Sequence, residues 1–262
     1  MSGILKSNRG TTLIELSVAM LVSSIVVAGA YQAYEYVTRS TQRENDKALL
    51  QRDIITIMEL VGKDIRSAGI GLPGNGIQVT LSESESDMLY IYQNETKTAT
   101  TLKNSLNYDA TSILVTDCSG AKAGGSVCVA GVGLDTVYCP ISRVGNDVSA
   151  GGVDTVYLTG VAGAGVFQVA STTVYFCHKK VYKINKTGSS ASFVLQHDAL
   201  ESPLGERIDS LNITPKDEDG VVLTSDYNLT RSIDIFVGGY VGSGANRQLM
   251  SEQTMVSIRN KD

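Results

Sequence analysis

The sequence predicts an α+β fold: a long N-terminal helix, apolar in its first half and amphipathic in its second, packed on an antiparallel, β-rich C-terminal domain. Three observations predict it. Between Thr12 and Ala68 there is no proline and the only glycines are Gly29 and Gly62, so one uninterrupted helix is permitted. Inside that span a nearly continuous apolar run gives way to a spaced apolar stripe. Beyond it, short apolar runs recur between Gly, Asn, Asp and Ser, as strands do between turns.

Residues 1–10 carry Lys6 and Arg9 and no acid. From Leu16 to Ala30 the only polar side chains are Ser17, Ser23 and Ser24, about 15 membrane-compatible residues, or about 18 with Leu13 and Ile14 counted across Glu15. Three roles compete for this segment. A secretory signal peptide would use Val27-Ala28-Gly29-Ala30 as its cleavage site. Glu15 stands against it, and against a plain anchor, because a carboxylate in an apolar run costs about 2.5 kcal/mol or more on insertion. Such a group needs a partner.

The third role removes the basic decapeptide and keeps the apolar run. Arg9-Gly10 followed by Thr11-Thr12-Leu13-Ile14-Glu15-Leu16 resembles the class III signal of type IV pilins and type II secretion pseudopilins. That signal is a short basic leader ending in Gly, a new N-terminal residue that is often Phe and becomes N-methylated, then Thr-Leu-Ile-Glu-Leu. Gly10 and Thr12 to Leu16 match residue by residue, and Thr11 stands where Phe is usual. The resemblance implies cleavage by prepilin peptidase between Gly10 and Thr11, N-methylation of Thr11, and a role for Glu15 in aligning one subunit with its neighbour. It also implies the organisation of the chain: a leader over 1–10, a long helix over 11–69 that is membrane-inserted at about 12–32, and an extracytoplasmic head over 70–262.

The second half of the helix carries Leu50, Ile54, Ile57, Met58, Val61, Ile65 and Ala68 at spacings of three and four. Arg52, Asp53, Glu59, Lys63, Asp64 and Arg66 fall mainly off that stripe, so one face is expected to be buried on the chain's own domain. Gly69, Gly71, Pro73, Gly74 and Gly76 then end the helix. Strands are expected over 87–93, 112–116, 155–159, 173–184, 193–196, 208–214, 232–237 and 253–259, with loops over 120–133, 145–152 and 160–165. Asp64-Ile65-Arg66-Ser67-Ala68-Gly69 is similar to the end of the helix in PilW-type minor pilins and J-type pseudopilins. The segments 173–184, 203–211, 217–220 and 258–260 are similar to the closing β elements of PilW-like proteins.

Cys118, Cys128, Cys139 and Cys177 all lie in the segment that this topology puts outside the cytoplasm, where an even number favours disulfides. Of three connectivities the preferred one joins Cys118 to Cys128, closing a Gly-rich loop, and Cys139 to Cys177, stapling that insertion to a strand. Four buried thiols are the alternative. The spacing does not match a paired Cys-x-x-Cys zinc site. Asp217-Glu218-Asp219-Gly220 resembles the middle of a calcium loop, yet its flanks supply no further oxygen side chains and an acidic turn needs no metal. His197 beside Asp198 reads as a solvated turn pair, and His178 is the one other histidine, so no metal or cofactor is expected.

Lys and Arg number 22 against 27 Asp and Glu, a formal net charge of -5 without a basic run, which disfavours nucleic acid. No phosphate-cradling Gly-x-x-x-x-Gly-Lys, Gly-x-Ser-x-Gly or His-Glu-x-x-His occurs, and no enzyme is expected. The resemblance implies a PilW-type minor pilin that enters a type IV pilus and helps to initiate or cap it. A bulky head is hard to repeat at every position of a filament, whereas a tip needs one copy. The partners implied are other pilins, prepilin peptidase and, before assembly, the inner membrane. A J-type pseudopilin is the alternative, and an anchored binding domain or adhesin without a filament is the second.

Overall fold

The computed structural model describes residues 12–82, 86–107, 110–131, 136–145, 154–159, 167–187, 190–242 and 247–258. Gly10, Thr11, the rest of the leader and the expected loop over 160–165 lie outside the described residues, as does 146–152. The chain divides into two units, Met1–Ala48 and Leu49–Asp262, with helix α1 (Leu13–Arg66) running from the first into the second.

In the first unit the large apolar side chains from Leu13 to Val27 are all more than half exposed. A helix that is apolar all round with nothing packed on it is built for lipid rather than water. By length and composition α1 can cross a membrane. The three serines of the run do not disturb it: Ser17 Oγ donates to Leu13 O at 2.9 Å, Ser23 Oγ to Ala19 O at 2.7 Å and Ser24 Oγ to Leu21 O at 2.8 Å. Each hydroxyl thus finds an acceptor inside its own helix, as an apolar medium requires. Tyr31, Tyr34 and Tyr36 follow, exposed, at the depth where amphipathic rings favour a membrane surface. Glu35, between Tyr34 and Tyr36, pairs with Arg39, and further on Glu44 pairs with Lys47, the surface of an element in water.

In the second unit the helical stripe is buried in full: Leu50, Ile54, Ile57, Met58, Val61, Ile65 and Ala68 are all inaccessible. Asp64 departs from expectation, being buried with them rather than solvated, at 5% exposure. Helix α1 ends because the chain must turn at once. Gly69 and Gly76 both have positive φ, and a Cβ on Gly69 would lie 2.4 Å from Gly74 O, one on Gly76 2.3 Å from Gly69 N. The turn closes on itself too tightly for any side chain. Gly69 N–H donates to Tyr92 O at 3.0 Å and Tyr92 N–H to Gly76 O at 2.7 Å, tying the helix end to the sheet.

The strands are β1 (Ile77–Thr80), β2 (Met88–Gln93), β3 (Ala99–Thr101), β4 (Ser112–Val115), β5 (Ser126–Gly131), β6 (Val137–Gly145), β7 (Asp154–Leu158), β8 (Thr172–Thr187), β9 (Ser190–His197), β10 (Leu200–Glu206), β11 (Ile208–Lys216), β12 (Ser232–Val241) and β13 (Gln248–Ser257). One sheet runs β1-β2-β8-β5-β6-β7-β4, with β9 and β10 continuing from β8 and β3 beside it; a second runs β11-β12-β13. All named strand pairings are antiparallel. Strand β8, 16 residues long, is shared: its first half pairs with β3 and β5, its second with β2 and β9. It therefore belongs to two cores. The first holds the helical stripe against β1, β2, β9 and the second sheet, including Tyr182, Phe193, Ile208 and Ile235. The other lies among β4 to β7 and the start of β8, including Ile113, Val127, Val156 and Phe176.

The eight expected strands are present, several of them longer or shifted, while β1, β3, β5, β6 and β10 were not expected. Strand β5 lies inside the expected loop over 120–133. Its Val127, Cys128 and Val129 are buried on both faces between β6 and β8, so the alternation that marks a half-exposed strand is absent. Strand β10 contains Pro203, where its pairing with β9 shifts register before Gly205, a position at which proline is tolerated.

Candidate functional site

Helix α1 opens on Thr12. Glu15 N–H donates to Thr12 Oγ1 at 3.3 Å, while Thr12 N–H and Thr12 Oγ1 donate to Glu15 Oε2 at 2.9 and 3.1 Å. This is a capping box, in which two orphan groups of a helix start satisfy one another. The pattern Thr-x-x-Glu ahead of an apolar run carries this signature in the sequence, and the box adds an intramolecular role for Glu15 to the intermolecular one expected of it. Both bonds fall on Oε2. A carboxylate accepts about four hydrogen bonds, so Oε1 retains capacity for a donor from elsewhere.

The four cysteines are buried thiols. Burial, then the hydrogen bond and charge of Asp154, push the Cys118 thiol up to about 11, and burial pushes Cys128 up to about 12. Cys177 is raised well above the ordinary range, again mainly by burial, and its Sγ lies 3.3 Å from Ser126 O. Thiols so placed are poor nucleophiles in the folded chain. The preferred pairings do not fit the packing. Cys118 and Cys139 lie in the core among β4 to β7. Cys128 and Cys177 lie in a separate small cluster with Leu72 and Tyr92, whose ring stacks on Tyr138 at 4.1 Å. Each preferred pair therefore joins residues of different clusters. The cause is the two-residue period of strands: Val127 opposes Cys139 while Cys128 opposes Tyr138, so these cysteines of β5 and β6 point to opposite faces. Cys128 and Cys177 share a face, offset by two positions, because Cys177 opposes Ser126. In protein recovered from an oxidising compartment, a disulfide is thus expected within a cluster. Any disulfide that non-reducing peptide maps detect should join cysteines of one cluster, and a Cys139–Cys177 link would overturn this.

Asp64 is a charged group buried among the helical stripe of the first core. Its Oδ1 accepts from Lys180 Nζ at 2.9 Å and its Oδ2 from the Tyr182 hydroxyl at 2.7 Å. Burial, reinforced by Asp64, pushes the Tyr182 phenol well above its ordinary range, so it stays a donor. Nothing in the sequence joins residues 64 and 180 except the stripe and the strand that carry them.

The histidines also meet. His178 Nδ1 lies 2.9 Å from Asp198 Oδ2, and the His178 and His197 rings stand edge to face at 5.7 Å. The expected solvated pair of His197 and Asp198 thus includes His178, from the neighbouring strand. Asp217 is engaged within its own turn, its Oδ1 accepting from Val221 N–H at 2.7 Å.

Residues 5–31 match the family model for the prokaryotic N-terminal methylation motif. No curated protein and no solved structure matches the chain. The motif supports a type IV pilin-like protein and indicates a pilin-like or pseudopilin-like precursor, and the apolar start of α1 fits an inner-membrane anchor. It implies processing by prepilin peptidase and assembly with other pilins.

Proposed function

We propose that this chain is a minor pilin of the PilW type, cut between Gly10 and Thr11, N-methylated on Thr11, and drawn from the inner membrane into a type IV pilus whose assembly it initiates or caps. The observation that carries the reading is the methylation motif over residues 5–31 with Glu15 retained inside the apolar run. A signal peptide or simple anchor gains nothing from a carboxylate there. The size of the unit Leu49–Asp262, with two cores where one would make a domain, supports a position occupied once rather than at every step of a helical filament. Lys6 and Arg9 hold the N terminus in the cytoplasm and send the head outward, by the positive-inside bias. A J-type pseudopilin shares the helix and the processing signal and remains the alternative.

Intact-mass measurement of membrane-extracted protein tests the processing step. Loss of residues 1–10 is expected in the wild type, and retention in Gly10→Leu, where a branched side chain occupies the position that the peptidase must approach. In sheared filaments the processed chain is expected far below the major pilin in amount. Retention of residues 1–10 by the wild type would overturn the reading; recovery of the chain only with a secretion pseudopilus would favour the alternative.

A further inference from the structure

We infer that His178, His197 and Asp198 form a site for a first-row divalent cation with zinc-like ligand preference, on the head and independent of the filament reading. The chain has two histidines in 262 residues, and the fold brings both to one place. In the register of β8 with β9, Lys180 opposes His197. His178 is two residues from Lys180, so both imidazoles rise from the same face of the sheet. One ligand atom from each of the three residues lies within 4.8 Å of the others.

The carboxylate is held ready. Asp198 sits in the two-residue turn between β9 and β10 at a φ of 53°, a left-handed conformation that Asp tolerates better than most residues. Its N–H donates to Lys179 O at 2.8 Å, and its Oδ1 accepts from Lys179 N–H at 2.9 Å. The Gln196 amide donates to Asp198 O at 2.9 Å. These bonds fix the turn against β8 and aim Oδ2 at His178. The lysines next along β8 are turned elsewhere: Lys180 Nζ is bound to Asp64, and Lys179 Nζ lies over the Tyr90 ring.

Two imidazoles and one carboxylate are the ligand set of a three-residue zinc site whose fourth position is filled by water. Bonds of about 2.0–2.2 Å in a tetrahedron need ligand atoms roughly 3.3 Å apart. The His178–Asp198 pair, at 2.9 Å, is already closer than that, and rotation of the exposed His197 side chain would close the remaining gap. The ion would take the place of the His178–Asp198 contact and pin the β9–β10 turn to β8.

The test uses the full chain in detergent micelles, stripped with chelator and dialysed against Zn²⁺. About one Zn²⁺ per chain is expected, with affinity lowered at least about tenfold in His197→Ala and in His178→Ala. His197 is exposed, so that variant should keep the wild-type circular dichroism and melting temperature without metal. Loaded with Co²⁺, the wild type should show visible ligand-field bands without the near-ultraviolet charge transfer of thiolate. Absence of stoichiometric metal, equal affinity in the histidine variants, or a thiolate band that places the ion on cysteine would each overturn the site.

Discussion

A Glu15→Ala chain is expected to be synthesised, cut after Gly10 and inserted in the membrane at wild-type levels, yet to be missing from sheared filaments or unable to start them. Cleavage would expose the amine of Thr11 as a new positive charge at the membrane surface, and an intramembrane carboxylate is costly unless it meets such a group. The helix holds its own N terminus on its axis, so the amine of a neighbouring subunit reaches the side chain more readily than the chain's own. Opposite charges brought together where water is scarce attract strongly, so losing one of them should lower incorporation by at least about tenfold.

The capping box complicates the alanine variant, because Thr12 N–H and Oγ1 lose their acceptor together with the charge. Thr12 still caps the residue-15 N–H, but the reciprocal half of the box is gone and the first turn is loosened. Glu15→Gln separates the two effects. Glutamine serves the capping box as glutamate does but carries no charge. If Glu15 acts by charge on a neighbouring subunit, Gln fails as Ala does. Normal incorporation of the Gln variant would show that the cap alone matters, and normal incorporation of Ala would show that neither does.

Replacing Asp64 by Ala is expected to cost the head about 3 kcal/mol, on the order of a hundredfold in its folding equilibrium. The substitution strands the Tyr182 hydroxyl, on a fully buried ring, without its acceptor. It also leaves the Lys180 ammonium unpaired with its side chain about one-fifth exposed, 21%, which keeps the cost at the lower end for a broken buried pair. Urea denaturation of the full chain in micelles, followed by tyrosine fluorescence, reads the change as a lowered midpoint with unchanged slope. The combined variant Asp64→Leu, Lys180→Met, Tyr182→Phe removes every polar member and should regain most of the loss, since an intact buried network contributes little beyond an apolar one of the same shape. A midpoint for Asp64→Ala within about 0.5 kcal/mol of wild type would show that the trio contributes nothing.

The parts of this protein that were legible in its sequence are those whose physics is local. Leader, apolar run and helical stripe each follow from residues near one another in the chain, and all seven stripe residues from Leu50 to Ala68 are buried. The α+β division follows from a proline-free span ahead of turn-rich strands. Strands such as β4 and, from Leu211, β11 alternate in burial and were expected; β5, buried on both faces, was hidden in a Gly-rich segment. Tertiary structure alone decided the rest. The length and double pairing of β8 set which residues oppose one another, and that register puts Cys128 and Cys139 on opposite faces, Asp64 against Lys180 and Tyr182, and His178 beside His197. Side chains on a strand change face at every residue, so a shift of one position would undo each of these meetings. Which shift is adopted depends on the packing of a helix and two sheets over contacts more than a hundred residues apart, as for Asp64 and Lys180.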